Sequence, residues 1–251
     1  ANVGAEILDM LSNLDPEKGV YVAALQQVAL DGSWTNHADA IMAYAGIVGP
    51  LEAWRRWSQR WSHLLNSNGL RYLHMKEAMR FDGEFISKRT EWGEHKERTR
   101  NALLEDLARL YREFDLKPIG RAADVRTFSA KALEAWKAEM FTAVLHDILA
   151  HIPDGAPITI LCDEEADGGQ SFVRLLAKMK LRSEDARKRI MGICLFDDKK
   201  SACVQLADML VYLLREDGER RVQKPNDLPN PLYQLFTCDR AEVKIGFPLF
   251  G

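Results

Sequence analysis

Residues 157–196 have the sequence PITILCDEEADGGQSFVRLLAKMKLRSEDARKRIMGICLF. Two short apolar runs, 157–163 and 189–196, lie on either side of a segment (170–181) whose apolar residues recur at helical spacing. Buried strands that alternate with helices indicate parallel strands covered on both faces. The stretch therefore predicts an α/β fold, and it places Asp163 at the carboxyl end of its first strand.

Similar patterns continue on both sides of this stretch. They predict three further strands, QQVALD (26–31), IMAYAGIV (41–48) and LKPIGRAADV (116–125), and two long helices, 130–150 and 201–215. The first two strands are joined by a short polar segment, which indicates an antiparallel hairpin. A helical insertion of about residues 50–115 follows the second strand. This order is that of a ribonuclease H-like fold, a mixed five-stranded sheet flanked by helices whose first and fourth strands are adjacent and parallel.

The insertion contains a stripe of tryptophans. Trp54, Trp57 and Trp61 recur at i, i+3 and i+7 and share one face of a helix. Such a stripe also suits the stacking of nucleic-acid bases, but packing in the core is the preferred interpretation. Residues 70–92 follow no regular pattern, and 93–114 predict a strongly charged helix with one apolar stripe.

Three parts are expected along the chain: an N-terminal helical appendage (1–18), a main domain (19–216) and a C-terminal extension (217–251). The appendage is expected to pack on the main domain or on a second subunit. A homodimer through the terminal extensions is therefore one expected assembly.

The composition of the 251 residues is that of an ordinary globular protein, with 47% apolar and 28% charged residues. The net charge of −3 is low for a protein that holds a long duplex through its overall field. Nucleic-acid contacts are therefore expected only from local basic patches, and a small substrate remains an alternative. The N-terminal stretch lacks a continuous apolar segment, so neither a signal peptide nor a membrane span is expected and a cytoplasmic location is the default.

The cysteines do not predict a metal site or a disulfide framework. Cys162, Cys194, Cys203 and Cys238 are far apart and form no Cys-x-x-Cys pair. The first three fall within apolar runs, where a cysteine usually acts as a small buried hydrophobic residue.

Two acids are predicted to meet at one edge of the sheet. If strands 26–31 and 157–163 are adjacent and parallel, Asp31 and Asp163 both lie at its carboxyl edge, where ligands of open α/β sheets bind. Neighbouring strands are only about 4.8 Å apart, so the two carboxylates repel each other unless a cation lies between them. Mg²⁺ or Mn²⁺, which prefer oxygen ligands, would remove that conflict.

Asp208 is the third candidate. It lies in the helix ACVQLADMLVYLL (202–214), which is apolar nearly all round and therefore predicted to be largely buried. An ionised Asp in such a helix costs several kcal/mol unless it is paired or bound to metal. The alternative is an Asp that caps a neighbouring element or pairs with an arginine. Gln205 shares the face of Asp208.

Other polar residues are secondary candidates. His74 and Glu77 either line the site from the insertion or form a surface pair. Asp197 and Asp198 follow a predicted strand, where they either bind metal or serve as a helix cap or turn. The motifs of P-loop NTPases, dinucleotide-binding proteins and α/β-hydrolases are absent from the sequence.

Three stretches of the chain resemble the family catalogued as domain of unknown function 3800, which is mostly bacterial. They are VALDGSW with the following AYAGIVGPLEAWRRWSQRW, LRYLHMKEAM, and ITILCDEE together with FDDKKSACVQLADMLVYLLR. They extend over most of residues 26–215, and the Gln-x-Ala-Asp helix is their most specific element.

The resemblance implies a ribonuclease H-like fold and a metal-dependent nuclease activity, itself largely inferred for the family. It implies Asp31, Asp163 and Asp208 as the metal-binding acids, with His74 and Glu77 as accessory residues. The family usually has a Glu directly after its first Asp, whereas this chain has Gly32. Either another acid such as Glu164 or Glu77 replaces it, or the metal site is weakened.

Phosphodiester hydrolysis assisted by Mg²⁺ or Mn²⁺ is therefore the first functional hypothesis. The alternatives are a non-catalytic binding or assembly module on the same fold and a hydrolase of a small phosphate ester. Fold alone does not choose among these activities.

Overall fold

The computed structural model describes residues 25–33, 41–164, 168–224, 228, 230–237 and 242–246. Their strands are β1 (Gln26–Ser33), β2 (Ile41–Pro50), β3 (Lys117–Asp124), β4 (Ile158–Asp163), β5 (Ile190–Phe196) and β6 (Glu242–Gly246). They form one mixed sheet in the order β5-β4-β1-β2-β3-β6. The predicted N-terminal helical appendage (1–18) lies outside the described residues.

Nine α-helices are present in this part of the chain. They are α1 (Leu51–Ser67), α2 (Met75–Arg80), α3 (Lys88–Glu91), α4 (Lys96–Leu110), α5 (Ala130–Ala150), α6 (Gly168–Arg182), α7 (Glu184–Arg189), α8 (Ala202–Gln223) and α9 (Pro231–Thr237). Ser129, Ser183 and Ser201 each cap a helix by accepting a hydrogen bond from a backbone N–H of its first turn. These caps fix where α5, α7 and α8 begin.

The predicted pairing of the strands is confirmed. β1, β2 and β3 form an antiparallel meander, and β4 lies parallel to β1 on its other side. β5 then adds parallel to β4. One further strand that was not predicted, β6, pairs parallel with β3 at the edge of the sheet.

The sheet is covered on both faces by separate hydrophobic cores, as predicted. On one face, α8 and the insertion helices α1 and α4 pack on side chains such as Ala29 and Ile47. On the other face, α5 and α6 pack on side chains such as Val28 and Leu30. Alternate residues of β1 thus point into different cores, which is the period of two of a strand.

The tryptophan stripe belongs to the first of these cores, as preferred from the sequence. Trp54, Trp57 and Trp61 are at most 1% exposed, so none of them presents a ring for base stacking. Trp54 lies edge-on to Trp57 with ring centroids 5.4 Å apart, and Trp57 lies 4.8 Å from Trp61. The stripe therefore joins the insertion to the sheet.

Several predicted boundaries were wrong. The segment 70–92 is not irregular, because it contains α2, α3 and a 3-10 turn (Gly83–Phe85). The helix predicted over 93–114 is α4, with a 3-10 turn before and after it. α8 runs to Gln223, beyond the predicted end at 215, and Phe236 of α9 stacks on Tyr111 with centroids 5.0 Å apart.

No helix among the described residues has both the length and the apolar character needed to cross a membrane.

Candidate functional site: a carboxylate cluster at the carboxyl edge of β1 and β4

Two strands bring the first two acids together. Leu30 of β1 and Cys162 of β4 are register partners in a parallel pair. Asp31 and Asp163 are the next residue of each strand, so they leave the sheet side by side at the same edge. Neighbouring strands lie about 4.8 Å apart, and the negative charge of Asp163 raises the pKa of Asp31. The predicted proximity of these residues is confirmed.

Asp208 reaches the same edge from α8. This helix begins after its cap Ser201, shortly after β5, and packs across β1 and β2. Its second turn carries Asp208 into contact with the insertion, where Asp208 Oδ2 accepts a hydrogen bond of 2.8 Å from the backbone N–H of Met75. Asp208 also raises the pKa of Asp31 by charge repulsion. The structure therefore brings together three acids that are remote in the sequence.

Asp198 is a fourth acid of this group, and sequence reasoning ranked it too low. It is 6% exposed, and its pKa is affected by the charges of Asp163, Asp208 and His74. Its Oδ1 is buried and has no hydrogen-bond partner among the described residues. An Asp after a strand is a common turn residue, so the sequence carried no sign of this burial. We call Asp31, Asp163, Asp198 and Asp208 the carboxylate cluster.

Gln205 holds the segments around the carboxylate cluster in place. Its Oε1 accepts hydrogen bonds from the indole N–H of Trp61 (2.9 Å) and the backbone N–H of Leu73 (3.1 Å). Its Nε2 donates to the backbone carbonyl of Asp198 at 2.8 Å. Because Gln205 and Asp208 share one face of α8, they bind the N–H groups of Leu73 and Met75, on either side of His74. The three-residue spacing of Gln205 and Asp208 on the helix thus matches the two-residue spacing of the N–H groups of Leu73 and Met75 in the extended segment that leads into α2.

The electrostatics of the site disfavour ionisation of Asp31, Asp198 and Asp208. Burial, followed by repulsion from Asp208, raises the pKa of Asp31 well above its usual value, against the hydrogen bond that its Oδ1 accepts from the N–H of Gly32 (2.7 Å). Burial also raises the pKa of Asp208, against the Met75 hydrogen bond. Burial raises the pKa of Asp198 to about 6. Close carboxylates in a poorly hydrated site resist simultaneous ionisation.

His74 and Glu77 lie beside the cluster but do different things. His74 directly precedes α2, and its positive form would lower the pKa of both Asp198 and Asp208. Its Nδ1 is buried and lies 3.4 Å from Glu77 Oε1, close enough for an ion pair but without the alignment of a hydrogen bond. His74 is therefore the link between Glu77 and the carboxylate cluster.

Glu77 is held by its own partners. Its Oε2 accepts hydrogen bonds of 3.0 Å from the Tyr72 hydroxyl and from the N–H of Glu84. Burial opposes ionisation, but these hydrogen bonds prevail and lower the pKa of Glu77. Gly83 is required here, because it has a φ of 50° and a Cβ at this position would collide with the Glu77 carboxylate. These contacts thus favour the ionised form of Glu77, which is set back from the cluster.

The remaining sequence candidates lie at the surface. Asp197 accepts from the N–H of Lys199 (3.0 Å) and pairs with Lys200 (2.7 Å), which makes it the turn residue expected of an acid after a strand. Glu164 is exposed and its N–H donates to the carbonyl of Phe196. The cysteines that the structure describes (Cys162, Cys194, Cys203) are free thiols, and burial raises the pKa of Cys203 to about 12.

The donor set suits a hard divalent ion in its chemistry. It consists of carboxylate oxygens, and the buried Oδ1 of Asp198 lacks any partner in the described part of the chain. In that same part, no three His, Cys, Asp or Glu side chains already stand as a set of metal ligands. One oxygen of Asp31 and one of Asp208 are engaged by backbone N–H groups, which leaves the second oxygen of each for a cation.

The stability of the metal-free protein is expected to depend on pH through Asp198. Its pKa is about 6 in the folded protein against a usual value of 3.8, so the unfolded chain loses this proton first as the pH rises. Asp198 therefore costs stability from about pH 4 upward, and the cost is complete above its folded pKa. We expect Asp198→Asn to be more stable than the wild type. The difference in the free energy of unfolding should grow from pH 4 to pH 7 and reach roughly 1–3 kcal/mol.

Thermal melts in chelator across this pH range measure that difference. Asp197→Asn is the matched control, because pairing with Lys200 lowers the pKa of Asp197 and its removal gives no gain at neutral pH. A stability difference between Asp198→Asn and the wild type that does not change with pH would show that the folded protein does not raise the pKa of Asp198.

Clustered carboxylates of this kind have two chemical uses: they share protons, or they share a cation. The first use suits general acid–base chemistry, and the second suits metal-assisted hydrolysis. A scan against protein-family models and a search of curated proteins each found no match to this chain.

Proposed function

We propose that the chain is a divalent-metal-dependent nuclease with a ribonuclease H-like fold, as its resemblance to the domain of unknown function 3800 family implies. The observation that carries this proposal is the convergence of Asp31, Asp163, Asp198 and Asp208 at one edge of the sheet, with mutual repulsion and burial raising the pKa of Asp31, Asp198 and Asp208. A cation is the simplest partner for such a group.

The topology supports the ribonuclease H-like assignment. An antiparallel meander of three strands is followed by two parallel strands, and the first strand lies beside the fourth. The acids then come from the first strand, the fourth strand and the last long helix. The sixth strand and the insertion of α1–α4 are additions to that arrangement.

The residues of the cluster divide into two roles in this proposal. Asp31, Asp163 and Asp208 would hold Mg²⁺ or Mn²⁺, and Asp198 takes the place of the Glu that the family has where this chain has Gly32. A bound divalent ion supplies a water of lowered pKa and stabilises the leaving oxygen. His74 lies between the cluster and Glu77, where it is placed to take or give a proton at the edge of the site.

A non-catalytic module on the same fold is the second candidate. Gly32 favours it, and so do the hydrogen bonds that Asp31 and Asp208 already accept from the backbone, because they give both carboxylates a structural use. Metal binding separates the two candidates, since a scaffold has no need of it.

Calorimetric titration with Mn²⁺, combined with cleavage of labelled single-stranded DNA and RNA in Mg²⁺, tests the proposal. The wild type is expected to bind Mn²⁺, and Asp198→Asn is expected to bind it about 10- to 100-fold more weakly. Asp197→Asn again serves as the control, because its side chain pairs with Lys200 at the surface and its affinity for Mn²⁺ should equal that of the wild type. A wild type that binds no Mn²⁺ and cleaves neither substrate would contradict the nuclease proposal and leave the non-catalytic module as the remaining candidate.

A further inference from the structure

A cleft with a volume of about 380 Å³ lies next to the carboxylate cluster. One wall is α1, and the other is the connection between β5 and α8 with the first turn of α8. The floor comes from Gln27 of β1, Leu161 of β4 and Phe196 of β5. We call this space the basic cleft.

The charged side chains that line the basic cleft are all cationic. Among the described residues that line it, four side chains are cationic (Arg55, Arg71, Lys199 and Lys200) and none is acidic. Each of these cations has an acidic partner outside the lining, at 2.7 to 3.7 Å: Glu52 for Arg55, Glu84 for Arg71, Glu77 for Lys199 and Asp197 for Lys200. Cations on facing walls of a cleft focus the potential between them and attract anions.

Two of these cations, Arg55 and Lys200, are available to a ligand, whereas Arg71 is held by the Glu84 carboxylate (2.8 Å) and Lys199 lies 3.4 Å from Glu77 Oε1. Arg55 pairs with Glu52 at 3.7 Å and Lys200 with Asp197 at 2.7 Å, but these pairs are at the surface, and the Arg55 and Lys200 side chains are 46% and 76% exposed. Exposed ion pairs contribute little to stability. A phosphate can therefore replace Glu52 or Asp197 as the partner at small cost.

The floor of the cleft offers a different kind of contact. Leu51, Leu161 and Phe196 provide apolar surface, while Ser58 and Ser62 bring hydroxyls from α1. Apolar surface with a few placed polar groups is the usual composition of a small-ligand pocket. The combination suits a nucleotide, whose base and sugar cover the floor while its phosphate meets the cations.

The basic cleft is joined to the carboxylate cluster through shared residues. Phe196 is the register partner of Asp163. Lys199 lines the cleft and lies 3.4 Å from Glu77 Oε1, while Gln205 lines it and binds the carbonyl of Asp198. A chain of nucleotides that occupies the cleft therefore leads directly to the acids.

We propose that the basic cleft binds one nucleotide of a single-stranded nucleic acid whose neighbouring phosphodiester lies at the carboxylate cluster. The volume of the cleft favours a single strand over a duplex, because a space of this volume holds about one nucleotide and cannot enclose a duplex. The placement beside the cluster rests on the proposed nuclease function, whereas the binding of the strand does not. Backbone contacts of this type read charge and shape rather than sequence.

Fluorescence anisotropy tests this assignment. Binding of a labelled 12-nucleotide single strand of mixed sequence is measured, as DNA and as RNA, in EDTA so that no metal-dependent cleavage occurs. The test variant is Arg55→Gln with Lys200→Gln. The matched control is Arg109→Gln with Lys188→Gln, which removes the same charge from exposed ion pairs outside the cleft. Lys188 precedes β5 and lies at the opposite end of this strand from Phe196.

We expect the test variant to bind the strand roughly tenfold more weakly than the wild type and the control variant to bind as the wild type does. The slope of log affinity against log salt should also become shallower by about 1.4 in the test variant, because two phosphate contacts are lost. Equal weakening in both double variants, or no binding by the wild type at low salt, would overturn the assignment.

The outcomes also separate this inference from the nuclease proposal. Binding that is lost in the test variant, together with an absence of Mg²⁺-dependent cleavage, supports the cleft and removes the nuclease. If the wild type cleaves in Mg²⁺ and the test variant binds the strand as well as the wild type does, the nuclease proposal is supported and the cleft assignment is overturned. Competition by adenosine 5′-monophosphate as strong as that by the 12-nucleotide strand would make a free nucleotide the ligand and overturn the strand assignment.

Discussion

Asp31→Asn is expected to abolish Mg²⁺-dependent phosphodiester cleavage while leaving the melting temperature equal to or above that of the wild type. Asn keeps the oxygen that accepts the N–H of Gly32, so the local fold is retained. It removes the charge that a divalent ion needs, and we expect cleavage to fall at least on the order of 10³-fold. Burial and Asp208 raise the pKa of Asp31, so its ionisation opposes folding near pH 7, and its removal should not lower the melting temperature.

The combination of lost activity and retained or increased stability is what distinguishes a metal ligand from a structural acid. Cleavage and thermal melts are to be measured on the same preparations. Asp106→Asn is the control, because Asp106 is an exposed acid of the insertion that lies 3.9 Å from Arg109. Unchanged cleavage by Asp31→Asn at saturating Mg²⁺ would remove Asp31 from the site.

Gln205→Ala is expected to destabilise the fold strongly. The substitution leaves the N–H groups of Trp61 and Leu73 and the carbonyl of Asp198 without their partner, and both Trp61 and Leu73 are fully buried. We expect the free energy of unfolding to fall by roughly 3–5 kcal/mol. For a chain of this length that corresponds to a melting temperature lower by about 6–15 °C.

Chemical denaturation of Gln205→Ala, Trp61→Phe and the double variant measures how much of this loss belongs to the Trp61 hydrogen bond. Gln223→Ala, at the carboxyl end of the same helix, is the control for the loss of a glutamine side chain. Because Gln205 positions Asp198, its replacement should also weaken Mn²⁺ binding, which a purely structural role would leave unchanged. A stability loss below about 1 kcal/mol would show that water replaces these hydrogen bonds.

Most of the sheet was predictable from the sequence because strands of this kind carry strong local patterns. The runs 41–48 and 157–163 are mainly apolar and contain several β-branched residues, and the shorter run 26–31 ends in an acid followed by turn residues, so their position and order followed directly. β6 was missed for a physical reason: a five-residue strand at the edge of a sheet has few apolar residues and is defined mainly by its partner. The short helix α7 was missed because it makes less than two turns.

The site was predictable only in part. Asp31 and Asp163 follow from strand order alone, since parallel neighbours end at the same edge. Asp208 follows from the cost of burying a charge in an apolar helix. Asp198 does not follow from any local pattern, because Asp197 and Asp198 look alike in the sequence and only the burial of the second distinguishes them.

The role of Gln205 illustrates the same limit. Its spacing from Asp208 showed a shared helical face, but not what that face meets. The partner is an extended segment of the insertion more than 130 positions earlier, whose backbone N–H groups carry no sequence information. Contacts from a side chain to a remote backbone are therefore invisible until the fold is known.

The position of β1 in the sheet has a consequence for the synthesis of the chain. Gln26 pairs with Pro50 of β2, only 24 positions later, but its other edge waits for Ile158, 132 positions later. At about 5–20 residues per second, a ribosome takes roughly 7–26 s to cover that distance. An open edge of this kind is a template for pairing with other nascent chains, so this interval exposes the chain to misassembly. Asp208 emerges later still, so the four acids of the carboxylate cluster can come together only after β1 to β5 have been synthesised.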